Sequence, residues 1–292
     1  MRRAIVEVLW GPQKGKKLAL PPGGTLRVGR TDKADLVVPQ DPKLSGQHFE
    51  LTWDGDRCRL RDLGSALGTM VGGERVEDAW IANGGWVRAG ETDFSVHFEG
   101  FTPPPAADVY GEDYEPERPE MAARRAAASI ALAEALATDP LYVVLDAARD
   151  DRIRRLLAES VDEHHSLYEG IQGEPFADVA PYIVRLERDS HLLATLVREG
   201  WGRRWGFYAA SRQPLRELRR HLRRFLIVKN EETGGKMYFR FYDPGVLRVF
   251  LPAASPLQAS ELLGEMHALW AEGPHGELLR FGPESAGGGA TS

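Results

Sequence analysis

One segment of this chain cannot belong to a folded core, and it divides the sequence in two. It starts at Thr102, continues through three consecutive prolines and ends in an acidic stretch near Glu117. Residues 101–139 carry three basic and eight acidic residues, so the first part of the segment has too little apolar surface to order itself. We therefore predict a linker at 101–139, between a first domain at 1–100 and a second at 140–274.

Two smaller features complete this organisation. From Met121 to Ala137 the linker is rich in alanine and places Leu132 and Leu136 at helical spacing, which predicts a short helix packed on the second domain. Residues 275–292 are predicted to form a C-terminal tail whose Gly/Ala/Ser-rich end is disordered.

Composition excludes several classes of function. The 292 residues contain one cysteine, Cys58, which forbids an internal disulfide and a thiolate metal cluster. No apolar run approaches the ~18 residues of a membrane span, and the first residues lack the apolar core of a secretory signal. A net charge of -6 argues against general nucleic-acid binding. We therefore expect a cytoplasmic protein that binds neither membranes nor nucleic acid.

The first domain shows the alternation of an all-β fold. Phe49, Leu51 and Trp53 alternate with polar residues, and the pattern resumes at Cys58 after a turn at 54–56. Such short runs, separated by turn signals every ~8 to 12 residues, predict a β-sandwich.

The second domain mixes apolar runs with helical periodicity, an order that suggests an α/β domain. The predicted strands are Leu141–Leu145, Asp178–Leu186, Trp205–Ala209, Met237–Phe241 and Leu247–Leu251. The predicted helices are Asp150–Ser160, Ser190–Glu199, a basic helix at Ser211–Val228, and Pro256–Trp270.

Short motifs in the first domain resemble the signature of forkhead-associated (FHA) domains over residues 3–99. They are Gly29-Arg30, Ser45-Gly46-Gln47-His48, Asp62-Leu63-Gly64-Ser65 and Gly68-Thr69. In that family the loops of an eleven-stranded sandwich bind phosphothreonine peptides. The resemblance implies that Arg30 and Ser45 share the phosphate, that Thr69 belongs to the phosphopeptide site, and that His48 braces the binding loop.

The sequence departs from the FHA pattern where side chains would hold the peptide. Gly46 stands where the family usually has Arg or Asn, and Ala66 and Leu67 replace a polar residue and an asparagine. Two interpretations stay open: the domain binds phosphothreonine, or it is a protein-docking module with a vestigial phosphate pocket.

Separated motifs in residues 140–272 resemble the adaptor or chaperone domain encoded beside effectors of bacterial type VI secretion systems. They are Leu141 to Arg149, Ser166 to Gly170, Ala180 to Val184, Gly200-Trp201-Gly202 with Trp205-Gly206, Leu218 to Phe225 and Tyr238 to Pro244. The resemblance implies a non-enzymatic domain that holds an effector in the cytoplasm and helps to load it onto the valine-glycine repeat spike protein. Gly245 is a departure, because a basic residue is expected there.

Candidate partner-binding residues follow from these motifs and from charge. Arg240, Tyr242 and Asp243 belong to the last motif, although Arg240 and Asp243 can equally form a structural ion pair. Residues 203–229 contain nine basic residues and one acidic residue. On the helix predicted there, Arg216, Arg220 and Arg223 project beside a leucine stripe, which favours an acidic partner surface; a solvated charged face is the alternative.

An enzymatic function is not supported by the residues. The aspartates and histidines of the second domain lack diagnostic spacing, and neighbouring histidines in a strand point to opposite faces. We therefore predict a protein that is not an enzyme and has neither a metal nor a cofactor. The leading hypothesis is an effector adaptor with an FHA-like docking module, and the alternative is a phosphothreonine-dependent signalling receptor.

Overall fold

The computed structural model describes residues 2–104, 119–168, 179–229 and 234–282. Residues 105–118 of the predicted linker and residues 283–292 of the predicted tail lie outside these residues. The chain divides into two compact units. The first comprises Met1–Pro103 with Ala158–Glu163, and the second comprises Pro104–Leu157 with His164–Ser292. No helix in the described part of the chain has the length and apolarity needed to cross a bilayer.

The first unit contains eleven strands in two sheets, which confirms the predicted all-β sandwich. The sheet orders are β2-β1-β11-β10-β7-β8 and β4-β3-β5-β6-β9. The strands are β1 (Ala4–Trp10), β2 (Lys17–Leu20), β3 (Gly24–Gly29), β4 (Leu36–Val37), β5 (Phe49–Trp53), β6 (Cys58–Asp62), β7 (Thr69–Val71), β8 (Glu74–Val76), β9 (Asp78–Ile81), β10 (Gly85–Ala89) and β11 (Thr92–Phe98).

Alternating residues of both sheets form the core of the sandwich. Phe49 and Leu51 of β5 pack in one buried cluster with Phe94 and Val96 of β11. The hairpin predicted after Trp53 is present, because β5 and β6 pair in antiparallel register. Apolar alternation therefore predicted this part of the fold well.

A short segment distant in sequence completes the first unit. The Glu159 carboxylate accepts hydrogen bonds from Asn83 Nδ2 at 3.0 Å and from the Thr102 N–H at 2.8 Å. Lys17 Nζ donates to the Ser160 carbonyl oxygen at 2.7 Å. Both Glu159 and Ser160 are buried. The first unit is therefore discontinuous in sequence.

The second unit is built from helices and a six-stranded sheet in the order β13-β14-β12-β15-β18-β19, with a separate β16-β17 ribbon. All the strand pairs described here are antiparallel. Its strands are β12 (Leu141–Asp146), β13 (His164–Ser166), β14 (Pro181–Arg185), β15 (Gly206–Ala210), β16 (Ile227–Lys229), β17 (Lys236–Tyr238), β18 (Ala268–Glu272) and β19 (Leu278–Phe281). Its helices are α1 (Pro119–Thr138), α2 (Asp151–Ala158), α3 (Leu192–Gly200), α4 (Leu215–Arg223), α5 (Pro244–Ala253) and α6 (Pro256–Leu263).

The central strand β12 is buried on both faces and separates two cores. Leu141, Val143 and Leu145 belong to one apolar cluster, whereas Tyr142 and Val144 belong to the other. The predicted alanine-rich helix is α1, and its Ala128, Leu132 and Leu136 pack in the first of these clusters. Residues assigned to the linker on composition therefore contribute to the core of the second unit.

Several predicted elements of the second unit need correction. Leu247–Leu251, predicted as a strand, lies in helix α5, because the Asp243 side chain accepts from the Gly245 N–H and Pro244 occupies the first turn. The helix predicted from Pro256 to Trp270 ends at Leu263, because Gly264 takes a positive φ of 51° and caps it.

Two boundaries also differ from the predictions. The basic helix occupies Leu215–Arg223, which is about half of the predicted range. The strand β19 pairs with β18, so the second domain continues to Phe281 and the predicted boundary at 274 lies before its last strand.

Candidate functional sites

The loops at one end of the FHA-like sandwich bring Arg30 and Ser45 together. Arg30 follows β3 directly, and its backbone N–H donates to the Ser45 carbonyl oxygen at 2.9 Å. The preceding Gly29 permits this approach, because a Cβ there would overlap the Gly46 carbonyl group. The Gly29-Arg30 motif therefore reflects close contact between two loops.

The polar groups of these loops are available to an anion. Ser45 Oγ accepts from the Ala66 N–H at 3.0 Å, so its hydroxyl hydrogen can donate to a further group. The Arg30 side chain is exposed, and no ion pair to it exists among the described residues. A guanidinium and a hydroxyl on neighbouring loops suit a phosphate or carboxylate ligand.

His48 connects the loops behind this surface. Its ring is buried; Nδ1 accepts from the Ser45 N–H at 3.0 Å, and Nε2 lies 3.2 Å from the Gly68 carbonyl oxygen. Burial lowers the pKa of His48, which favours the neutral ring. Because Nδ1 accepts a hydrogen bond, the proton of the neutral ring lies on Nε2. One imidazole thus accepts from one loop and donates to the other.

Thr69 does not lie on the ligand surface as the resemblance implied. It is fully buried, and its Oγ1 donates to Asp62 Oδ2 at 2.6 Å. Ser65 donates to Asp62 through both its N–H, at 2.8 Å, and its hydroxyl, at 2.6 Å. Burial alone would raise the pKa of Asp62, but these hydrogen bonds hold it below its usual value. Thr69 is therefore a loop-positioning residue.

Sequence reasoning gave Asp62 no role, although it organises the loop that contains Ser65. The signal was present, since an aspartate shortly before a glycine is typical of a loop in which the carboxylate accepts from nearby backbone N–H groups. The structure also places Ala66 and Leu67 on the exposed surface of that loop. Neither side chain can donate a hydrogen bond to a peptide.

In the second unit, two buried aspartates and three arginines form one cluster. Arg240 Nη2 lies 2.5 Å from Asp146 Oδ2. Asp243 accepts from Arg149 Nη2 at 2.5 Å and from Arg204 Nη2 at 2.6 Å. Both carboxylates are buried, whereas the arginine side chains retain 29% to 47% of their exposure. The cluster has one more positive than negative charge, and its cationic groups reach the surface.

This arrangement corrects the predicted roles in the last motif. Arg240 pairs with Asp146 and not with Asp243. Tyr242 is buried, and its hydroxyl lies 3.2 Å from that of Tyr168. Burial also raises the pKa of Tyr242. Of the three predicted partner-binding residues in this motif, Arg240 alone is exposed.

Asp243 has a structural role in the same cluster. Burial alone would raise its pKa, but hydrogen bonds from Arg204 and the Gly245 N–H hold the pKa below its usual value. The absent basic residue at position 245 has a physical explanation, because a Cβ added there would overlap the Arg204 guanidinium. Arg204, from another segment, fills the space beside Gly245 with positive charge.

Two of the motifs that resemble effector adaptors meet in this cluster, and Arg204 joins them. The first motif contributes Asp146 with Arg149 and the last contributes Arg240 to Asp243, while Tyr168 of a third motif contacts Tyr242. Sequence spacing gave no indication of this convergence, because these residues lie up to 97 positions apart. No group of three or more metal-ligating side chains is found among the described residues.

The arginines of α4 occupy a separate position. Leu215, Leu218 and Leu222 are buried, as the predicted stripe requires. Arg216 and Arg220 are exposed, and Arg220 forms an ion pair with Glu217 in the same helix. Arg223 is half-buried. The groove of about 450 Å³ between α4 and the end of α6 is lined by Arg220, Arg224, Glu261 and Glu265, among other residues.

Comparisons with known proteins match both units. Residues 7–99 match the family model described as the inner membrane component of the type III secretion system, cytoplasmic domain. Residues 141–261 match the model of a domain of unknown function, DUF4123.

Individual relatives resemble the first unit. An FHA domain-containing protein of Arabidopsis thaliana is 30% identical over 92 residues, which are 30% of this chain and 24% of the relative. FhaA of Mycobacterium tuberculosis is 33% identical over 82 residues, which are 28% of this chain and 15% of the relative. The chain thus spans a quarter or less of these two relatives. The solved FHA domain of CT664 from Chlamydia trachomatis has 28% identity and a TM-score of 0.31, covering 32% of this chain and 96% of that domain.

The FHA domain-containing relatives in sequence and the loop geometry define the class of the first unit: it is an FHA domain, a module of protein–protein interaction. The second unit contains a DUF4123 domain, so the resemblance stated from the sequence is confirmed. A protein that joins these two modules is suited to docking or adaptor functions.

Proposed function

We propose that this protein is a non-enzymatic cytoplasmic adaptor that binds a type VI secretion effector and helps to load it onto the spike protein. The observation that supports this proposal is the arginine–aspartate cluster of the DUF4123 domain, in which the first and last adaptor-like motifs meet together with Arg204. An adaptor needs a rigid, chemically distinct surface, and buried ion pairs with exposed guanidinium groups provide one.

The arginines of α4 supply a second surface for an acidic partner. Arg216 and Arg220 are exposed beside a helix face that is fixed by buried leucines. Opposite charge on the effector or the spike would increase the rate of association and define its orientation. Arg223 extends the same face of the helix.

A specific observation favours a second candidate function, a phosphothreonine-dependent receptor. Arg30 is exposed, and the Ser45 hydroxyl retains a donor, which supports the phosphate-binding role that the FHA resemblance implies for this pair. In the adaptor hypothesis the same surface docks a second protein, which does not have to be phosphorylated.

Purification of the tagged full-length chain from its bacterium, with mass spectrometry of bound proteins, tests these functions. Spike protein together with one toxin supports the adaptor. The matched variants are Arg216→Glu with Arg220→Glu, and a control with Arg154→Glu and Arg155→Glu, which changes two exposed arginines of α2. Loss of the toxin in the first variant alone identifies α4 as the docking surface.

A separate outcome identifies the receptor. A phosphorylated protein can be recovered without spike protein or toxin, and Arg30→Ala can abolish its recovery. That outcome would support the phosphothreonine-dependent function and contradict the adaptor function. Recovery of none of these partners from cells that express the secretion system contradicts both.

A further inference from the structure

The side chain of Arg75, in β8, lies against the loop between β6 and β7. Strands β7 and β8 pair in antiparallel register, which places Arg75 opposite Met70, two residues after Gly68. A Cβ added to Gly68 would overlap the Arg75 guanidinium. The guanidinium therefore packs directly on the Gly68 backbone, and it can do so because glycine has no side chain.

The same loop borders the anion site of the FHA domain. Its Ala66 N–H donates to Ser45 Oγ at 3.0 Å, and its Gly68 carbonyl oxygen lies 3.2 Å from His48 Nε2. The chain from Ala66 to Gly68 is short, so the Arg75 guanidinium lies no more than about 16 Å from Ser45 Oγ. An extended peptide advances about 3.3 Å per residue, so this distance corresponds to about four residues of a bound peptide.

The Arg75 guanidinium is available to a ligand. Arg75 is exposed, and no hydrogen bond or ion pair to its side chain exists among the described residues. Glu74 and Glu77 are its acidic neighbours in sequence, but neither carboxylate pairs with Arg75 in the described structure. Glu74 also extends from the opposite face of β8, because successive side chains of a strand alternate. Arg75 therefore keeps all of its hydrogen-bond donors.

Arg75 supplies a kind of group that the loop itself lacks. The exposed side chains of Ala66 and Leu67 have no donor, whereas Arg75 brings a planar guanidinium to the same loop from a neighbouring strand. A guanidinium binds a carboxylate through two parallel hydrogen bonds. With a phosphate at Arg30 and Ser45, the group that reaches Arg75 belongs to another residue of the peptide, and an aspartate or glutamate side chain fits it.

We infer that Arg75 is a specificity-determining residue of the FHA loop site, which selects peptides with a carboxylate side chain within about four residues of the phosphothreonine. The inference rests on the phosphothreonine-dependent function proposed above and names the peptide that this site prefers. Arg30 and Ser45 hold the phosphate, the peptide backbone passes Ala66 and Gly68, and Arg75 holds the carboxylate.

NMR titration of the full-length protein with phosphothreonine peptides tests this role and detects weak complexes. The parent peptide has about nine residues, with phosphothreonine at its centre and alanine elsewhere, a length that covers about four residues on each side. In the other peptides one glutamate replaces alanine at each position in turn. We expect one position, or two adjacent ones, to tighten binding by about three- to ten-fold, as a partly exposed charge-assisted pair contributes. The Arg75 Nε–H signal should shift with that glutamate peptide and not with the parent.

Variants separate a direct contact from a structural effect. Arg75→Gln should remove the gain from glutamate and leave binding of the parent peptide unchanged. Arg75→Glu should reverse the preference, so that a peptide with lysine at the selected position binds more tightly than the glutamate peptide. Arg57→Gln is the matched control, because this exposed arginine lies in the turn after β5, at the other end of that strand from Ser45. It should keep the full gain.

Several results would overturn the inference. Equal binding of all the peptides to the natural chain, or a gain from glutamate that persists in Arg75→Gln, would remove the specificity role and leave the phosphothreonine-dependent function standing. An equal loss for the parent and glutamate peptides in Arg75→Gln would make Arg75 a brace of the loop. Binding of the glutamate peptide that survives Arg30→Ala would place the ligand outside the loop site. If no peptide binds at all, the phosphothreonine-dependent function fails, and the inference fails with it.

Discussion

At the residue scale, we expect the missing side chain at Gly46 to limit how strongly the FHA loops hold a peptide. A Cβ at this position would lie 3.3 Å from Thr31 Oγ1, and its φ is in the ordinary range, so a side chain fits with a small adjustment. Gly46→Arg adds one charge-assisted hydrogen bond of about 1.5 to 3 kcal/mol. We therefore expect weak or absent phosphothreonine-peptide binding in the natural chain and about ten- to a hundred-fold tighter binding in the variant.

Calorimetry with a phosphothreonine peptide library measures this change. Gly46→Met is the control, because it adds a side chain of similar length without a donor. Tight binding by the natural chain that Arg30→Ala abolishes would show that Arg30 and Ser45 suffice without the missing side chains.

His48 gives the FHA domain a pH dependence with a defined sign. Burial lowers its pKa in the folded chain, whereas the unfolded chain takes up this proton near pH 6.5. Stabilisation by neutral His48 is therefore complete above about pH 6.5 and is lost as the pH falls toward the lowered folded-state pKa.

Melting temperatures between about pH 5 and 7.5 test this prediction, since they cover the range below the unfolded-state pKa. His48→Asn should reduce the slope of melting temperature against pH. His97→Asn is a needed comparison, because burial also lowers the pKa of His97. An unchanged slope in the His48 variant would contradict this prediction, because it would mean that the protonation of His48 does not differ between the folded and the unfolded chain.

At the scale of secondary-structure elements, α4 carries the charge that the adaptor would use. Reversing Arg216, Arg220 and Arg223 to glutamate should slow association with an acidic partner and remove its dependence on salt. The buried leucine face is unchanged, so the melting temperature should stay within a few degrees. Stopped-flow kinetics at several ionic strengths measure the effect, and unchanged rates would leave α4 as a solvated charged face.

The start of α5 depends on a contact between Gly245 and Arg204. Gly245→Ala would displace the Arg204 guanidinium from Asp243, although alanine is the better helix former. We expect the substitution to destabilise the natural chain but to be neutral or stabilising in an Arg204→Ala background, with a coupling of about 0.5 to 3 kcal/mol. Chemical denaturation of the natural chain, the two single variants and the double variant measures this coupling. Additive effects would show that the contact contributes nothing to stability.

The elements differ in how well their sequences predict them. Strands β5 and β6 follow from alternation, because each has one face in the core and one in water. Leu247–Leu251 reads equally as a buried strand, and the Asp243-Pro244 pair, which starts the helix, is also typical of a turn. The arginine–aspartate cluster could not be predicted, since its pairs depend on the tertiary fold and not on spacing.

At the scale of the whole molecule, the division into two units predicts a fragmentation pattern. If residues 101–120 form the linker that their composition predicts, limited proteolysis should cut there and leave the second unit folded. The first unit includes Glu159, which accepts from Asn83 and Thr102, so residues 1–103 alone should melt at a lower temperature than in the intact chain. Calorimetry of the separated fragments measures whether the second unit stays folded and at what temperature residues 1–103 melt. Resistance to cleavage at 101–120 would contradict the predicted linker.

The contact between Arg204 and Gly245 has a consequence for how such domains diverge. The positive charge beside the Asp243 carboxylate is a property of a place in the folded chain: Arg204 supplies it here, in the space beside position 245, where the resemblance implies a basic residue. If a basic side chain is lost at one of these positions and gained at the other, the local field stays similar. Comparing sequences column by column would score such an exchange as a loss and an unrelated gain, whereas in the folded chain the charge occupies the same place.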